Sequence, residues 1–242
     1  MKIVARTDKG CVRENNQDSY TGGELSGGVA YAVVCDGMGG AAEGAFASSE
    51  AVKIIREKIC GGYKSGMSDI SIKALLVSAL ELANAHIYQL SLTDEKYYGM
   101  GTTAVAALVT DSFAYIAHVG DSRAYLIADG EANQLTRDHS VVQRMLENGE
   151  ITPEEVENHP KKHIITRAIG VDSEIMVDFC QESFGGGTVL MLCSDGLTNY
   201  VSVGDITEQT SGDRYFEYAQ NLVSLALKNG GGDNVTVVVV AE

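Results

Sequence analysis

The sequence predicts an α+β protein in which β-sheets form a sandwich covered by helices, and not a βαβ parallel fold. Two short, nearly continuous apolar runs, at residues 29–34 and 189–193, read as strands buried in a sandwich core. Long stretches with apolar residues at i, i+3, i+4 and i+7 come in clusters and not one after each strand. Four times, moreover, a hydrophobic run enters or leaves an aspartate flanked by glycine or asparagine, at Asp36, Asp121, Asp195 and Asp233. Such a junction places a carboxylate at the end of a buried strand, where the chain can turn sharply.

The elements follow in order. The run at 29–34 feeds Asp36-Gly37, and residues 41–59 form a helix for which Gly61-Gly62 is a plausible stop. A second helix spans 70–90 with Ile72, Leu75, Leu76, Ala79, Leu82, Ala83, Ile87 and Leu90 on one face, capped by Ser68 or Asp69. Residues 102–110, 113–119 and 124–127, separated by turns at Asp111-Ser112 and Gly120-Asp121, read as an antiparallel meander. Residues 140–163 are polar and helix-prone, carrying Glu147, Glu150, Glu154, Glu155, Glu157, Lys161 and Lys162, and read as a surface flap. After the strand at 189–193, residues 213–228 make a third amphipathic helix with Phe216, Ala219, Leu222, Val223 and Ala226 on one side. The β-branched run at 235–240 is the last strand.

Bulk composition narrows the classes. With 242 residues, 45% hydrophobic, the chain reads as one domain over 1–242 with a sizeable core. A net charge of −15 argues against a nucleic-acid partner, which needs a basic face. Five cysteines without a CxxC pair or dense even spacing fit a reduced, cytoplasmic setting. The first residues lack a secretory apolar core and nothing approaches 18 consecutive apolar residues, so no membrane span is expected. There is no GxxxxGK[ST] phosphate loop. Cys193 lies two residues from Asp195, yet its apolar neighbours make it a buried strand cysteine and not a nucleophile. His159 and His163 are separated by Pro160 without metal-site acids between them, and read as part of a solvated flap.

One Asp-Gly junction is usually only a turn. Four of them suggest strand ends converging on an acidic point that repels itself unless cations neutralise it. The motifs Arg13-Glu14-Asn15-Asn16-Gln17-Asp18, Asp36-Gly37-Met38-Gly39-Gly40, Gly101-Thr102-Thr103, Gly120-Asp121-Ser122-Arg123, Asp138-His139-Ser140, Ser194-Asp195-Gly196 and Gly232-Asp233-Asn234 occur in one particular order. That order resembles the metal-dependent serine/threonine phosphatases of the protein phosphatase 2C (PPM) family, and the flap and Met38 resemble specifically the bacterial branch that opposes Ser/Thr protein kinases.

The resemblance implies a four-layer α/β/β/α sandwich of two antiparallel sheets with a small helical flap. It implies hydrolysis of phosphoserine and phosphothreonine in proteins by water held between two Mn²⁺ or Mg²⁺ ions, with a third ion in bacterial members. On the same ground Asp36 bridges both ions, the Gly37 carbonyl adds a ligand, and Asp195 and Asp233 complete the pair. Asp121, with Asp195, holds the third ion, Asp18 orients the water, and Arg13 grips the phosphate by its planar fork. Gly101-Thr102-Thr103 reads as architectural and Arg123 as a structural clamp. Family members carry a histidine after the first Asp-Gly or just past Gly-Gly, where this chain has Met38 and Ala41. The general acid is therefore open, with His139 either a candidate or simply structural. The implied partners are phosphoproteins, including a Ser/Thr kinase, acted on by a monomer. Two rival roles share the motifs: a phosphatase dedicated to one regulatory protein of the anti-sigma-antagonist type, and a non-catalytic regulatory module.

Overall fold

A computed structural model of the chain describes every residue except Asp94, Glu157, Ser211 and Asp213, and omits the side chains of Ala41 and Ala42. The predicted helix start at Asp213 and the flap charge Glu157 lie outside the described residues. Two antiparallel sheets stack face to face. One runs β1 (Lys2–Asp8), β11 (Val235–Ala241), β10 (Val189–Cys193), β7 (Arg123–Ala128) and β8 (Glu131–Gln134). The other runs β2 (Asp18–Glu24), β3 (Ala30–Met38), β5 (Ala104–Val109), β6 (Phe113–Val119) and β9 (Asp178–Ser183), with the short β4 (Gly101–Thr102) paired to the end of β3. Helices α1 (Ala41–Gly62) and α2 (Asp69–Ser91) cover one outer face. Between β8 and β9 lie α3 (Val141–Glu147) and α4 (Pro153–Val156), and α5 (Asp195–Thr198), α6 (Val203–Gln209) and α7 (Tyr215–Lys228) cover the other face.

The continuous apolar runs have a direct cause: these strands are buried on both sides. In β3, Ala30, Ala32 and Val34 meet Leu190, Leu192, Val238 and Val240 between the sheets, while Tyr31, Val33 and Cys35 turn toward α1 and α2. In β10, Val189, Met191 and Cys193 face α5–α7. Each such Leu, Val or Met removed from water contributes about 1.5–3 kcal/mol. Helix α2 is long and apolar enough to cross a membrane by length and composition, but its Ile72, Leu76, Leu80 and Ile87 are buried in the layer shared with α1 and the sheet. Ser68 caps it by accepting from the Ser71 amide.

Several expectations are corrected. The stretch from 102 to 127 is not a meander, because β6 pairs with β9 while β7 crosses to the other sheet and pairs with β10. Gly120-Asp121 is thus a corner between sheets, taken by Gly120 at a φ of +108°. A hairpin and a sheet-switching corner share the same turn chemistry, so local sequence could not separate them. Helix α1 runs through Gly61-Gly62, because burial of Ile55 and Ile59 holds that last turn against glycine's low propensity. Leu82 (48% exposed) and Phe216 (54%) face solvent, and Leu80 takes the buried place expected for Leu82.

Candidate active site

Register brings the first two acids together. In the β2–β3 pair Asp18 stands directly opposite Asp36, an arrangement in which two like charges destabilise a sheet. Asp195 opens α5 as the chain leaves β10, Asp233 precedes β11, and Asp121 sits in the corner between β6 and β7. Five carboxylates from both sheets therefore arrive at one end of the sandwich.

Their electrostatics show how tightly they are gathered. Burial raises the Asp36 carboxyl well above the usual range, and the charges of Asp18, Asp195, Asp121 and Asp233 raise it further. Burial and then Asp233 raise Asp195, which is also within hydrogen-bonding reach of Asp36. Burial pushes Asp18 up to about 7, against the pull of the Thr236 and Ser194 hydroxyls. Burial, followed by Asp195 and Asp138, pushes Asp121 up to about 8.

Asp18 is aimed by a relay. Its Oδ2 accepts from Ser194 Oγ and from Thr236 Oγ1, both at 2.7 Å, and Ser194 Oγ in turn accepts from the Thr236 amide at 3.0 Å. Its Oδ1 is buried and has no hydrogen-bond partner among the described residues. An unpartnered buried carboxylate oxygen is costly unless water or an ion meets it. This orphan oxygen, the Asp18–Asp36 opposition and a donor set made of carboxylates fit hard divalent cations, which take oxygen ligands and keep several waters.

Backbone clamps hold the ligand candidates. The Asp36 amide donates to Thr103 Oγ1 (3.0 Å), and the Asp36 carbonyl accepts from the Thr103 amide and from Thr102 Oγ1, each at 2.8 Å. Thr103 Oγ1 also shares a 2.7 Å hydrogen bond with Ser122 Oγ. Thr102 and Thr103 therefore act through packing and hydrogen bonding. At Gly37, a Cβ would lie 2.1 Å from the Gly44 carbonyl oxygen of α1, so only glycine lets that helix approach.

Arg13 is exposed, and its Nη2 donates to Asp233 Oδ2 at 2.8 Å; that bond raises the guanidinium pKa further. Asn234 fixes the loop that carries Arg13: its Oδ1 accepts from the Gln17 amide (2.8 Å), and its Nδ2 donates to the Lys9 and Asn15 carbonyls (both 2.9 Å). Ser194, Thr236, Ser122 and Asn234 carry no visible role from sequence alone. Ser194 and Asn234 flank Asp195 and Asp233 in the sequence, which is the available signal, whereas Thr236 reads as an ordinary β-branched strand residue.

Arg123 pairs with Asp138 through Nε and Nη2 (2.6–3.1 Å) and donates from Nη1 to the Tyr125 hydroxyl. A cleft of about 630 Å³ is lined by Asp121 and Asp195, by Val142 and Leu146 of α3 and Val156 of α4, and by Tyr200 and Val203. Lys162 also lines it, whereas Lys161 does not.

His139 does not suit the general-acid role. It is 5% exposed, Nδ1 accepts from the Gly120 amide (3.1 Å), and Nε2 faces Asp178 Oδ2 at 3.3 Å. Burial lowers its pKa to about 4, so at neutral pH it has no labile proton to give. His118, His139 and Asp178 bring ligand-type atoms within 4.8 Å of one another. Two features oppose a metal there. The Gly120 bond keeps the His139 proton on Nε2, the atom that would have to ligate, and the Arg167 guanidinium already occupies the space, 2.8 Å from Asp178 Oδ1.

Comparison with known proteins agrees with this geometry. The family described as protein phosphatase 2C matches residues 12–229. Protein phosphatase PhpP of Streptococcus pneumoniae is 39% identical over 242 residues, covering 100% of this chain and 97% of the relative. The serine/threonine phosphatase of S. agalactiae superposes with a TM-score of 0.92 at 35% identity, covering 100% of this chain and 99% of its own. The catalytic domain of the serine/threonine protein phosphatase PstP, solved in complex with 2 manganese ions, superposes with a TM-score of 0.84 at 35% identity, covering 98% and 96%. Motif order, a two-sheet sandwich and an acidic focus at one end of it thus meet in a single assignment: the chain belongs to the protein phosphatase 2C family.

Proposed function

We propose that this protein hydrolyses phosphoserine and phosphothreonine in proteins, using two Mn²⁺ or Mg²⁺ ions with a place for a third. The observation that carries the reading is the convergence of five aspartates around a buried, unpartnered Asp18 Oδ1. Asp36, Asp195, Asp233 and the Gly37 carbonyl would hold the pair, and Asp121 with Asp195 the third. When bound, such ions neutralise charge on the phosphate oxygens and acidify water.

The chain's own residues supply the rest. Asp18 Oδ1 is the free acceptor that orients the attacking water, while Ser194 and Thr236 keep its other oxygen engaged. Attack on phosphorus forms one P–O bond and breaks the ester P–O bond, with no covalent enzyme intermediate. With His139 excluded as donor, the departing alkoxide takes its proton from solvent at the site. Arg13 turns its fork from Asp233 to the phosphate oxygens. For Arg13→Ala we expect KM for p-nitrophenyl phosphate to rise about tenfold, the loss of roughly 1.4 kcal/mol of charge-assisted hydrogen bonding, with Mn²⁺ still bound. Calorimetric Mn²⁺ titration of the variant checks this, and lost Mn²⁺ affinity would mean Arg13 has another role.

We place the protein in the cytoplasm as a single phosphatase domain acting on phosphoproteins, a Ser/Thr kinase among them, with the flap beside the cleft selecting substrates. All five cysteines are free, which supports a reduced setting. The test is hydrolysis of p-nitrophenyl phosphate and of a phosphothreonine peptide. Activity of both should appear with Mn²⁺ and vanish with EDTA; turnover that survives EDTA counts against the reading.

A further inference from the structure

We propose that His139 is a positioning residue that fixes the Asp121 turn from outside the acidic cluster and ties it to the root of the flap. The proposal rests on the reading of Asp121 as a ligand for the third ion.

The corner that presents Asp121 is gripped on both sides. On one side, the His139 amide donates to the Gly120 carbonyl (3.0 Å) while the Gly120 amide donates back to His139 Nδ1 (3.1 Å). On the other, Ser122 Oγ is held by Thr103, which also carries the Asp36 amide. Gly120 cannot be replaced as the hinge of this corner: it sits at a φ of +108°, and a Cβ there would lie 2.6 Å from the Thr103 side chain.

The imidazole is itself locked. With Nδ1 accepting from Gly120, Nε2 lies between Arg167 Nη1 at 3.0 Å and Asp178 Oδ2 at 3.3 Å. Arg167 holds the other Asp178 oxygen at 2.8 Å, and the His118 ring stacks on His139 with centroids 4.8 Å apart. Nε2 of His118 donates to the Arg137 carbonyl at 3.0 Å, which fixes that ring in turn. A residue serving only to fill the core would not need both nitrogens committed.

The same residue anchors the flap. Its carbonyl accepts from the Thr166 amide at 2.7 Å, and the next residue, Ser140, caps α3 through the Gln143 amide at 3.2 Å. Ser140 bridges to Ile165, and the Val141 amide donates to the Ile164 carbonyl at 2.8 Å. The segment that leaves His139 and the one that returns at Ile164–Thr166 are therefore bonded together at His139, one residue beyond the ion-paired Asp138. Displacement of the flap root is transmitted to Gly120, and from there to Asp121.

The test uses His139→Asn, which keeps an acceptor where Nδ1 sits, and His139→Leu, which removes it. Each is made in the full chain, alone and with Asp121→Asn. Calorimetry follows Mn²⁺ binding and NMR follows exchange of the Gly120 amide. For His139→Leu we expect the most weakly bound Mn²⁺ to lose about tenfold in affinity, the lower end for losing a group that orients a ligand, with Gly120 exchanging faster. His139→Asn should stay near wild type on both readouts, and His139→Leu should add nothing in the Asp121→Asn background. Wild-type Mn²⁺ binding by His139→Leu, or an undiminished effect of it beside Asp121→Asn, overturns the proposal. If His139→Leu does not fold, Asp178→Ala, which frees the ring, replaces it and should weaken the same ion several-fold; no weakening overturns the proposal equally. Should Asp121→Asn alone leave Mn²⁺ binding untouched, the reading of Asp121 as a ligand falls and takes this proposal with it.

Discussion

Asp36→Asn should lower kcat/KM toward p-nitrophenyl phosphate by about a thousandfold, a loss of roughly 4 kcal/mol of transition-state stabilisation, while making the metal-free protein more stable. The two effects have one origin. Asp36 is the acid on which every other carboxylate of the cluster acts, and it faces Asp18 across the β2–β3 pair. At a pH where both carboxyls are ionised, removing its charge relieves a like-charge opposition worth up to about 1 kcal/mol in a sheet. Apart from the side-chain hydrogen bond with Asp195, the clamps at this residue grip its backbone: Thr103 Oγ1 takes the amide, and Thr102 and Thr103 donate to the carbonyl. Asparagine keeps the shape and the clamps but, on the proposed two-ion reading, is a poor substitute for a bridging carboxylate. Thermal melts in EDTA together with steady-state assays in saturating Mn²⁺ separate the outcomes. Full activity in the variant would remove Asp36 from the centre, whereas a lower melting point in EDTA would show the charge to be stabilising.

How much of this was legible in the sequence depends on the range of the interaction. The strands at 189–193 and 235–240 were readable because burial on both faces leaves a continuous apolar run. Strand β2, Asp18-Ser19-Tyr20-Thr21-Gly22-Gly23-Glu24, was not, since two glycines and alternating exposure give it no propensity of its own. It is held by its register with β3, a tertiary fact. The acidic focus was visible as four aspartates flanked by glycine or asparagine, but the Asp18–Asp36 opposition needed that register. His139 shows the same divide. Its sequence neighbours allowed an acid–base role, and only the pairing of β6 with β9, which brings Asp178 to the ring, showed both nitrogens committed. Thr236 was hidden for the opposite reason: a threonine at the start of a β-branched strand looks like packing until its hydroxyl is seen 2.7 Å from Asp18.

Metal-free protein should lose stability as pH rises from about 6.5 to 8, and saturating Mn²⁺ should abolish that loss. The unfolded reference for an aspartate is about 3.9, whereas burial holds Asp18 at about 7 and Asp121 at about 8. Between these limits the folded chain binds more protons than the unfolded one, so their contribution to stability is full below about pH 4 and is lost as pH climbs through the folded values. The maximum slope is about 1.4 kcal/mol per pH unit for each proton. Histidines act in the opposite sense at the acidic end. Burial lowers His139 to about 4 and also lowers His118, so the unfolded chain takes up protons below about 6.5 that the folded one refuses. The two tendencies offset each other between pH 4 and 6.5 and leave the carboxylate slope uncovered above it. Cations reverse the slope because they bind the ionised carboxylates and release the protons, so their stabilisation grows with pH. At 100 times the dissociation constant one ion contributes about 2.7 kcal/mol. Urea unfolding at pH 6.5 and pH 8, with EDTA and with Mn²⁺, measures both arms. Parallel pH profiles in the two conditions would show that the aspartates ionise without reference to the metal, and that the acidic cluster is not its binding site.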